Sequence, residues 1–340
     1  MIITKLVSRL FFCLLLIVPQ GIFAQSFDSD AVLTRIAFGS CSHQDSDRQM
    51  WGEILQTTPD LYIWLGDNIY GDTSDMIVMR AKYAKQKMRP GYQELISRTP
   101  VVGTWDDHDF GINNGGKDFN HKSQSQQAAM DFLDIPAGAP ERRREGLYSS
   151  QTFGPEGKQV QVILLDARYF RDTVHVEEGI SQPNQEGTVL GEAQWKWLEG
   201  ELLDSKADLI LIGSGIQVIP EEHRFEKWAN FPKERQRLFD LLAYTETDNA
   251  ILLSGDRHIA EVSRLQPEGM RRPLYEITSS GLTHTWRDAR NEQNRHRVGE
   301  LIIARNFGLM EIDWSGAKPA VQVRIIGEDM EELGLQQIAF

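Results

Sequence analysis

Five short stretches of this chain place oxygen, nitrogen and sulfur donors directly after apolar runs. They are Gly39-Ser40-Cys41-Ser42-His43, Gly66-Asp67-Asn68-Ile69-Tyr70, Trp105-Asp106-Asp107-His108-Asp109, Gly215-Ile216-Gln217 and Ser254-Gly255-Asp256-Arg257-His258. Carboxylates are costly to crowd where water is scarce, because each ionised group loses hydration and repels the next. Bound cations remove that cost. A mixed set of carboxylate, imidazole, thiol and phenol suits a metal cluster that activates water for hydrolysis. Glycine in four of the five stretches lets the backbone turn sharply and approach an ion. One Gly-Asp pair is ordinary turn chemistry, but successive donor clusters, each after an apolar run, share no common turn-forming cause.

The runs that precede these clusters read as strands. Arg35–Phe38, Leu61–Leu65, Val101–Trp105, Val160–Leu165, Leu209–Ile212 and Ile251–Leu253 are apolar enough to be covered on both faces. Leu274–Thr278, Phe307–Ile312 and Val321–Ile326 alternate more and suit antiparallel strands. Helices are expected over Asp47–Gln56, Ser74–Met88 (ended by Pro90), Lys122–Leu133, Glu192–Leu203 and Lys233–Tyr244. Strands alternating with helices predict an α/β layered domain, with ligands gathered beyond the carboxyl ends of the strands.

The 340-residue chain is 41% hydrophobic and 25% charged, enough apolar material for a sizeable core. Its start reads as a Sec-type secretory signal over residues 1–24: Lys5 and Arg9, an apolar run Leu10–Val18, and Ala24 at the expected cut. The run is short for a membrane span. The expected product is therefore an exported, periplasmic or secreted protein with one domain over 25–340 and no stable membrane span; an uncleaved anchor is the alternative. The segment holds two basic residues and no acidic one, so its removal takes the formal charge from −13 to −15. Such a surface disfavours nucleic acid as a partner while leaving a small anionic substrate compatible with a cationic metal site. The cysteines are Cys13, inside the signal, and Cys41. An exported chain left with one cysteine forms no internal disulfide, so its thiol is expected to be buried or metal-bound.

The motifs Phe-Gly-Ser-Cys at 38–41, Gly-Asp-Asn-Ile-Tyr at 66–70, Trp-Asp-Asp-His at 105–108 and Ser-Gly-Asp-Arg-His at 254–258 resemble those of the PhoD-like alkaline phosphatases, metallophosphatases distantly related to purple acid phosphatases. The resemblance spans roughly Thr34 to Gly327 and covers the catalytic domain, without the extra β domain that larger members carry ahead of it. It implies a four-layer α/β/β/α sandwich. It also implies that Asp67 bridges two metals, that Cys41, Tyr70 and His258 bind the first, and that Asp107 and Asp256 bind the second. Iron (Fe3+) at the Cys/Tyr position and calcium at the carboxylate position follow from the family. The residue types agree, since thiolate and phenolate favour ferric iron and an all-oxygen set suits calcium. Those types alone do not separate iron from zinc, and manganese or magnesium also fits the oxygen donors.

By the same resemblance His108 faces the substrate rather than a metal, stabilising the transition state or protonating the leaving oxygen, with a surface histidine in a turn as the alternative. Arg257 has two readings: a fork for phosphate oxygens, or a counter-charge for its carboxylate neighbours. Arg168, within Asp-Ala-Arg-Tyr-Phe-Arg, is a substrate-contact candidate or a salt-bridge partner of Asp166. Gln217 stands where related enzymes often carry a metal-binding histidine. Asn114 and His284 complete the substrate-side candidates, with a turn for the first and packing for the second as the alternatives. Aromatic residues between Phe225 and Phe231 read as core or pocket wall. The expected activity is hydrolysis of phosphate monoesters or diesters by attack of a metal-bound hydroxide. The alternatives are a phosphodiesterase with little monoesterase activity and a non-catalytic, metal-stabilised binding protein. The bare donor set would suit other metal-assisted hydrolyses, so the phosphorus chemistry rests on the resemblance.

Overall fold

A computed structural model describes residues 29–340; the expected signal over 1–24 lies outside the described residues. The elements run β1 (Arg35–Gly39), α1 (Trp51–Gln56), β2 (Leu61–Leu65), α2 (Met76–Lys87), α3 (Pro90–Ile96), β3 (Val101–Thr104), α4 (Asp107–Phe110), α5 (Lys122–Phe132), β4 (Ser149–Phe153), β5 (Val160–Leu164), β6 (Val176–Glu177), β7 (Ile180–Ser181), α6 (Gly191–Asp204), β8 (Leu209–Ser214), α7 (Pro232–Tyr244), β9 (Ala250–Ser254), β10 (Ala260–Leu265), β11 (Leu274–Ser279), β12 (Arg297–Ile302), β13 (Phe307–Asp313), β14 (Ala320–Ile326) and β15 (Glu332–Ala339).

Two mixed sheets form the centre. One has the order β15-β14-β13-β1-β2-β3 and the other β12-β10-β11-β9-β8-β5-β4. The two-residue period of the strands decides which core each side chain enters. Ile36, Phe38, Leu61, Ile63 and Leu65 of the first sheet meet Val162, Leu164, Leu211, Ile251 and Leu253 of the second. The alternate residues Ala37, Tyr62 and Trp64 turn outward against Trp51, Ile54, Met79, Tyr83 and Tyr92 of the first helices. On the other side Ile163, Ile210, Ile212 and Leu252 pack against Trp195, Leu198, Leu238 and Leu242 of α6 and α7. Helices, sheet, sheet and helices therefore stack as the expected α/β/β/α sandwich. Among the described residues no helix is long and apolar enough to cross a membrane.

The differences from the sequence reading have local causes. Pro90 does not merely end α2; it opens α3, where a missing N–H and a fixed φ are tolerated. The strands β4, β10, β12 and β15 carry too many polar or half-buried residues to show an apolar run. Strand β11, expected to be antiparallel, is antiparallel to β10 but parallel to β9.

Strands β1, β2 and β3 run parallel, as do β5, β8, β9 and β11, so their carboxyl ends collect at one end of each sheet. The two ends are tied together. Thr104 Oγ1 donates to the Leu165 carbonyl at 2.8 Å, and Ser40 Oγ to the Ser279 carbonyl at 3.2 Å.

Candidate metal centre

The loops leaving β1, β2, β3 and β9 converge above those ties. Three overlapping donor groups result: Cys41 with Asp67 and His258; Asp67 with Asp107 and His108; and Asp106 with Asp107 and Asp256. Within each, the donor atoms lie within 4.8 Å of one another. Asp67 is shared by the first two groups and Asp107 by the last two. Cys41 Sγ stands 3.5 Å from Asp67 Oδ2. Tyr70 Oη lies 2.9 Å from His258 Nε2 and 3.0 Å from His284 Nε2, so His284 joins the cluster.

The backbone pays for this convergence in conformation. Cys41 (φ 61°), Asp67 (φ 49°), Asp256 (φ 66°) and His258 (φ 55°) all occupy the left-handed region, which costs about 1–3 kcal/mol for each non-glycine residue. The glycines act differently from the sequence expectation in one respect. A Cβ on Gly215 would stand 2.2 Å from Asp106 Oδ1, and one on Gly66 would stand 2.5 Å from Asp106 Cβ. These glycines make room for a buried carboxylate as well as for a turn.

Charge is packed unusually tightly. Asp67, Asp106, Asp107 and Asp109 are all buried. Burial, then the Asp107, Asp106, Asp109 and Asp256 carboxylates, push the Asp67 pKa well above the usual carboxylate range. Asp256 keeps some exposed surface, yet the protein around it and the Asp106, Asp107 and Glu226 charges also hold its proton strongly. Burial raises Asp109 to about 8, although it accepts from the Asp106, Asp67 and Asn68 amides at 2.7, 3.2 and 3.2 Å. Burial and Asp67 push the Cys41 thiol up, and burial, Cys41 and Asp67 do the same to the Tyr70 phenol. Burial, with His284 and His108 nearby, lowers His258 to about 3, so its imidazole is neutral and able to ligate.

Without cations, then, Asp67, Asp256, Cys41 and Tyr70 hold their protons strongly, and metal ions bound there would replace them. The unpartnered atoms agree. Asp106 Oδ2, Asp107 Oδ1 and Asn68 Oδ1 are buried and make no hydrogen bond. Buried acceptors are seldom left so, which fits positions facing cations. The residues present therefore suit two or more metal ions.

The remaining candidates divide. His108 Nδ1 lies 2.7 Å from Asp72 Oδ1. Burial alone would lower its pKa, but the Asp72 hydrogen bond and the Asp107, Asp72 and Asp256 charges outweigh it and lift it to about 9. Arg257 turns its guanidinium to Glu292, with Nη2 2.7 Å from both carboxylate oxygens, and stacks 4.4 Å from the Phe225 ring centroid. The backbone amide of Asn114 donates to Asp107 Oδ2 at 2.6 Å, while its side chain is exposed.

Arg168 has no exposed side-chain surface. Its Nε lies 2.7 Å from Asp106 Oδ1 and its Nη1 2.5 Å from Glu226 Oε1. The salt bridge weighed for Arg168 with Asp166 is not the one observed: Asp166 instead accepts backbone amides of Leu147, Arg168 and Tyr169 at 2.7, 2.8 and 2.9 Å. Gln217 is buried, with Nε2 2.8 Å from Glu261 Oε1 and 2.8 Å from Thr278 Oγ1. It belongs to none of the three donor groups, which are drawn from His, Cys, Asp and Glu. Trp228 and Phe231 are core, whereas Phe225 is half-buried beside Trp286.

A family model described as PhoD-like phosphatase matches residues 36–317. The chain belongs to the PhoD-like phosphatase family. It is 24% identical to alkaline phosphatase D of Bacillus subtilis (strain 168), in a match covering 72% of this chain and 48% of that protein. The chain thus spans about half the length of that curated relative. The solved structure of PhoD is similar at a TM-score of 0.73 and 18% identity, covering 91% of this chain and 69% of the other. A dimetal phosphatase from Danio rerio gives 0.57 at 13% identity, covering 91% and 100% of the two chains. GAP50, the anchor in the inner membrane complex of Plasmodium, gives 0.60 at 14% identity, covering 91% and 90%. At these identities the structural likeness establishes the fold.

In this PhoD-like chain several residues at the site carried only a faint sequence signal. Asp72 belongs to a second Gly-Asp pair five residues after Asp67. Asp106 looked like half of a doublet, yet it links Arg168 to the donor cluster. Asp109 caps the backbone of two loops from one buried carboxylate. Glu226, inside an aromatic stretch, is the second partner of Arg168 and also pairs with Arg171. These contacts join distant segments, which spacing along the chain does not reveal.

Proposed function

We propose that this chain is an exported, metal-dependent phosphoric ester hydrolase acting on small phosphate monoesters or diesters. The observation that carries the reading is the sharing of Asp67 between the Cys41/His258 group and the Asp107/His108 group. In this reading Cys41, Tyr70, Asp67 and His258 hold one cation, and Asp67, Asp107 and Asp256 hold the other. Iron is proposed for the first and calcium for the second, on the hardness of the donors. Bound there, the cations would supply Lewis acidity at phosphoryl oxygens and acidify a water molecule.

The protein's own groups do the rest. Asp72 fixes His108 through Nδ1, which leaves Nε2 to give a proton to the departing oxygen. The Asn114 amide holds Asp107 in place. Arg168 is proposed as a positioning residue for Asp106, not as a substrate contact, because its side chain has no exposed surface. Arg257 is proposed as a counter-charge near Asp256, since Glu292 already holds its Nη2. Gln217 is assigned a packing role, and His284 a hydrogen bond that orients Tyr70.

GAP50 has this fold and is an anchor, so fold does not decide activity. The complete donor set favours an enzyme over a binding protein. Purified protein supplied with iron and calcium should hydrolyse nitrophenyl phosphate or its diester, and a chelator should abolish the reaction. Chelator-resistant turnover, or none with metals present, would overturn the proposal. The ratio of the two rates separates a monoesterase from a diesterase.

A further inference from the structure

Beside the proposed metal centre lies a half-buried aromatic pair flanked by two guanidinium groups. Phe225 and Trp286 meet edge to face, with centroids 4.9 Å apart. The Trp286 amide donates to the His258 carbonyl at 2.8 Å, which ties the pair to a proposed ligand. Arg257, between Asp256 and His258, places its guanidinium 4.4 Å from the Phe225 centroid. Arg224 places a second guanidinium 5.0 Å from Phe225 and 5.7 Å from Trp286.

The two arginines differ in one respect that matters. Arg257 is buried and ion-paired with Glu292. Arg224 is exposed, and among the described residues no carboxylate forms a salt bridge with it, although acidic residues outnumber basic ones 49 to 36. Its backbone is fixed, because the Ser181 amide donates to its carbonyl at 2.8 Å. Stacking on aromatic rings holds a guanidinium in a plane while its N–H groups stay available to an anion. Asp256, His258, His284 and His108 also keep exposed surface, and the Trp286 amide bond to His258 joins the aromatic pair to that set.

We propose that Arg224, held on the Phe225/Trp286 pair, is a specificity-determining residue that selects phosphate esters whose leaving group carries its own negative charge. This inference rests on the phosphoesterase reading above. The metal ions would take the reacting phosphoryl group, and Arg224 would take a second anionic group at the far end of the leaving group. The aromatic pair gives a planar leaving group a surface to lie against.

The test compares phenyl phosphate with 3-carboxyphenyl phosphate, whose phenols leave with closely similar acidity, and the same pair as methyl diesters. In wild-type, metal-loaded protein the carboxylated ester should have the higher kcat/KM, and raising the salt should reduce that preference. Arg224→Ala should lower the carboxylated-to-plain ratio about fivefold, the upper range for an exposed ion pair. Arg224→Lys should retain most of the ratio, and Arg224→Glu should lower it below that of Arg224→Ala. The Lys and Glu variants keep the comparison decisive if the Ala variant folds poorly. A ratio near one in the wild type, or a ratio unchanged by Arg224→Glu, overturns the inference and leaves the hydrolase reading intact. No turnover of any of the four esters overturns both.

Discussion

The Asp72 carboxylate lies 2.7 Å from Nδ1 of His108, and the Gly71 and Asp72 amides donate to the His108 carbonyl at 3.1 and 3.2 Å. One turn thus grips both the ring and the backbone of the proposed proton donor. Asp72→Asn keeps the shape and weakens the hold on the imidazolium. Its kcat should fall about 10- to 100-fold for alkyl phosphate esters, which need a proton on the departing oxygen. The loss should be much smaller for nitrophenyl esters, which leave readily. A leaving-group series measures the contrast, and equal losses across it would mean that Asp72 only supports the fold.

Stability should depend on pH in a direction set by the carboxylate cluster. An acid whose folded-state pKa is raised keeps its proton over a window where the unfolded chain has released it, so folding becomes less favourable as pH rises through that window. Asp106 is raised from 3.8 to about 6 by burial, despite Arg168, and Asp109 from 3.8 to about 8 by burial; Asp67 and Asp256 shift the same way. Chelated protein should therefore have a lower Tm at pH 8 than at pH 5. Adding calcium and iron should raise Tm more at pH 8, because the ions replace the protons. A Tm that rises with pH in the presence of chelator would contradict this picture.

Arg168 should matter to folding more than to substrate affinity. It is wholly buried between Asp106 and Glu226, and removing one member of such a set leaves buried charge uncompensated. Arg168→Ala should destabilise the protein by about 3–5 kcal/mol in urea unfolding. A loss below about 1 kcal/mol with a large rise in KM would restore the substrate-contact role.

Cys41 has no exposed surface, so its thiol should react with an aromatic disulfide reagent only after unfolding and metal removal. Cys41→Ser should fold, because serine is close in size, but should lose most of the iron relative to wild type by elemental analysis. Undiminished iron in the variant would remove Cys41 from the ligand set.

The sequence was legible wherever burial was uniform along a strand. Ile36, Tyr62 and Trp64 lie in runs covered on both faces, and such runs announce themselves. Strands β4, β12 and β15 do not, because half-exposed strands such as Arg297–Ile302 read as polar loop. At the site, Asp67, Asp107, Asp256 and His258 were visible because each follows an apolar run. Asp72, Asp109 and Glu226 act through partners tens of residues away or through backbone amides, which no local pattern records. Arg168 illustrates the same limit, since its partners come from the loop after β3 and from the segment before α7 rather than from nearby Asp166.

The central claim is a site built on Asp67 as the shared ligand. The most direct measurement is metal content and phosphate-ester turnover of Asp67→Asn, prepared with iron and calcium in excess. The account predicts that the variant loses at least one metal per chain and that turnover falls by about 10³-fold or more, while the fold persists. A full metal complement with wild-type rates on both monoester and diester would contradict it.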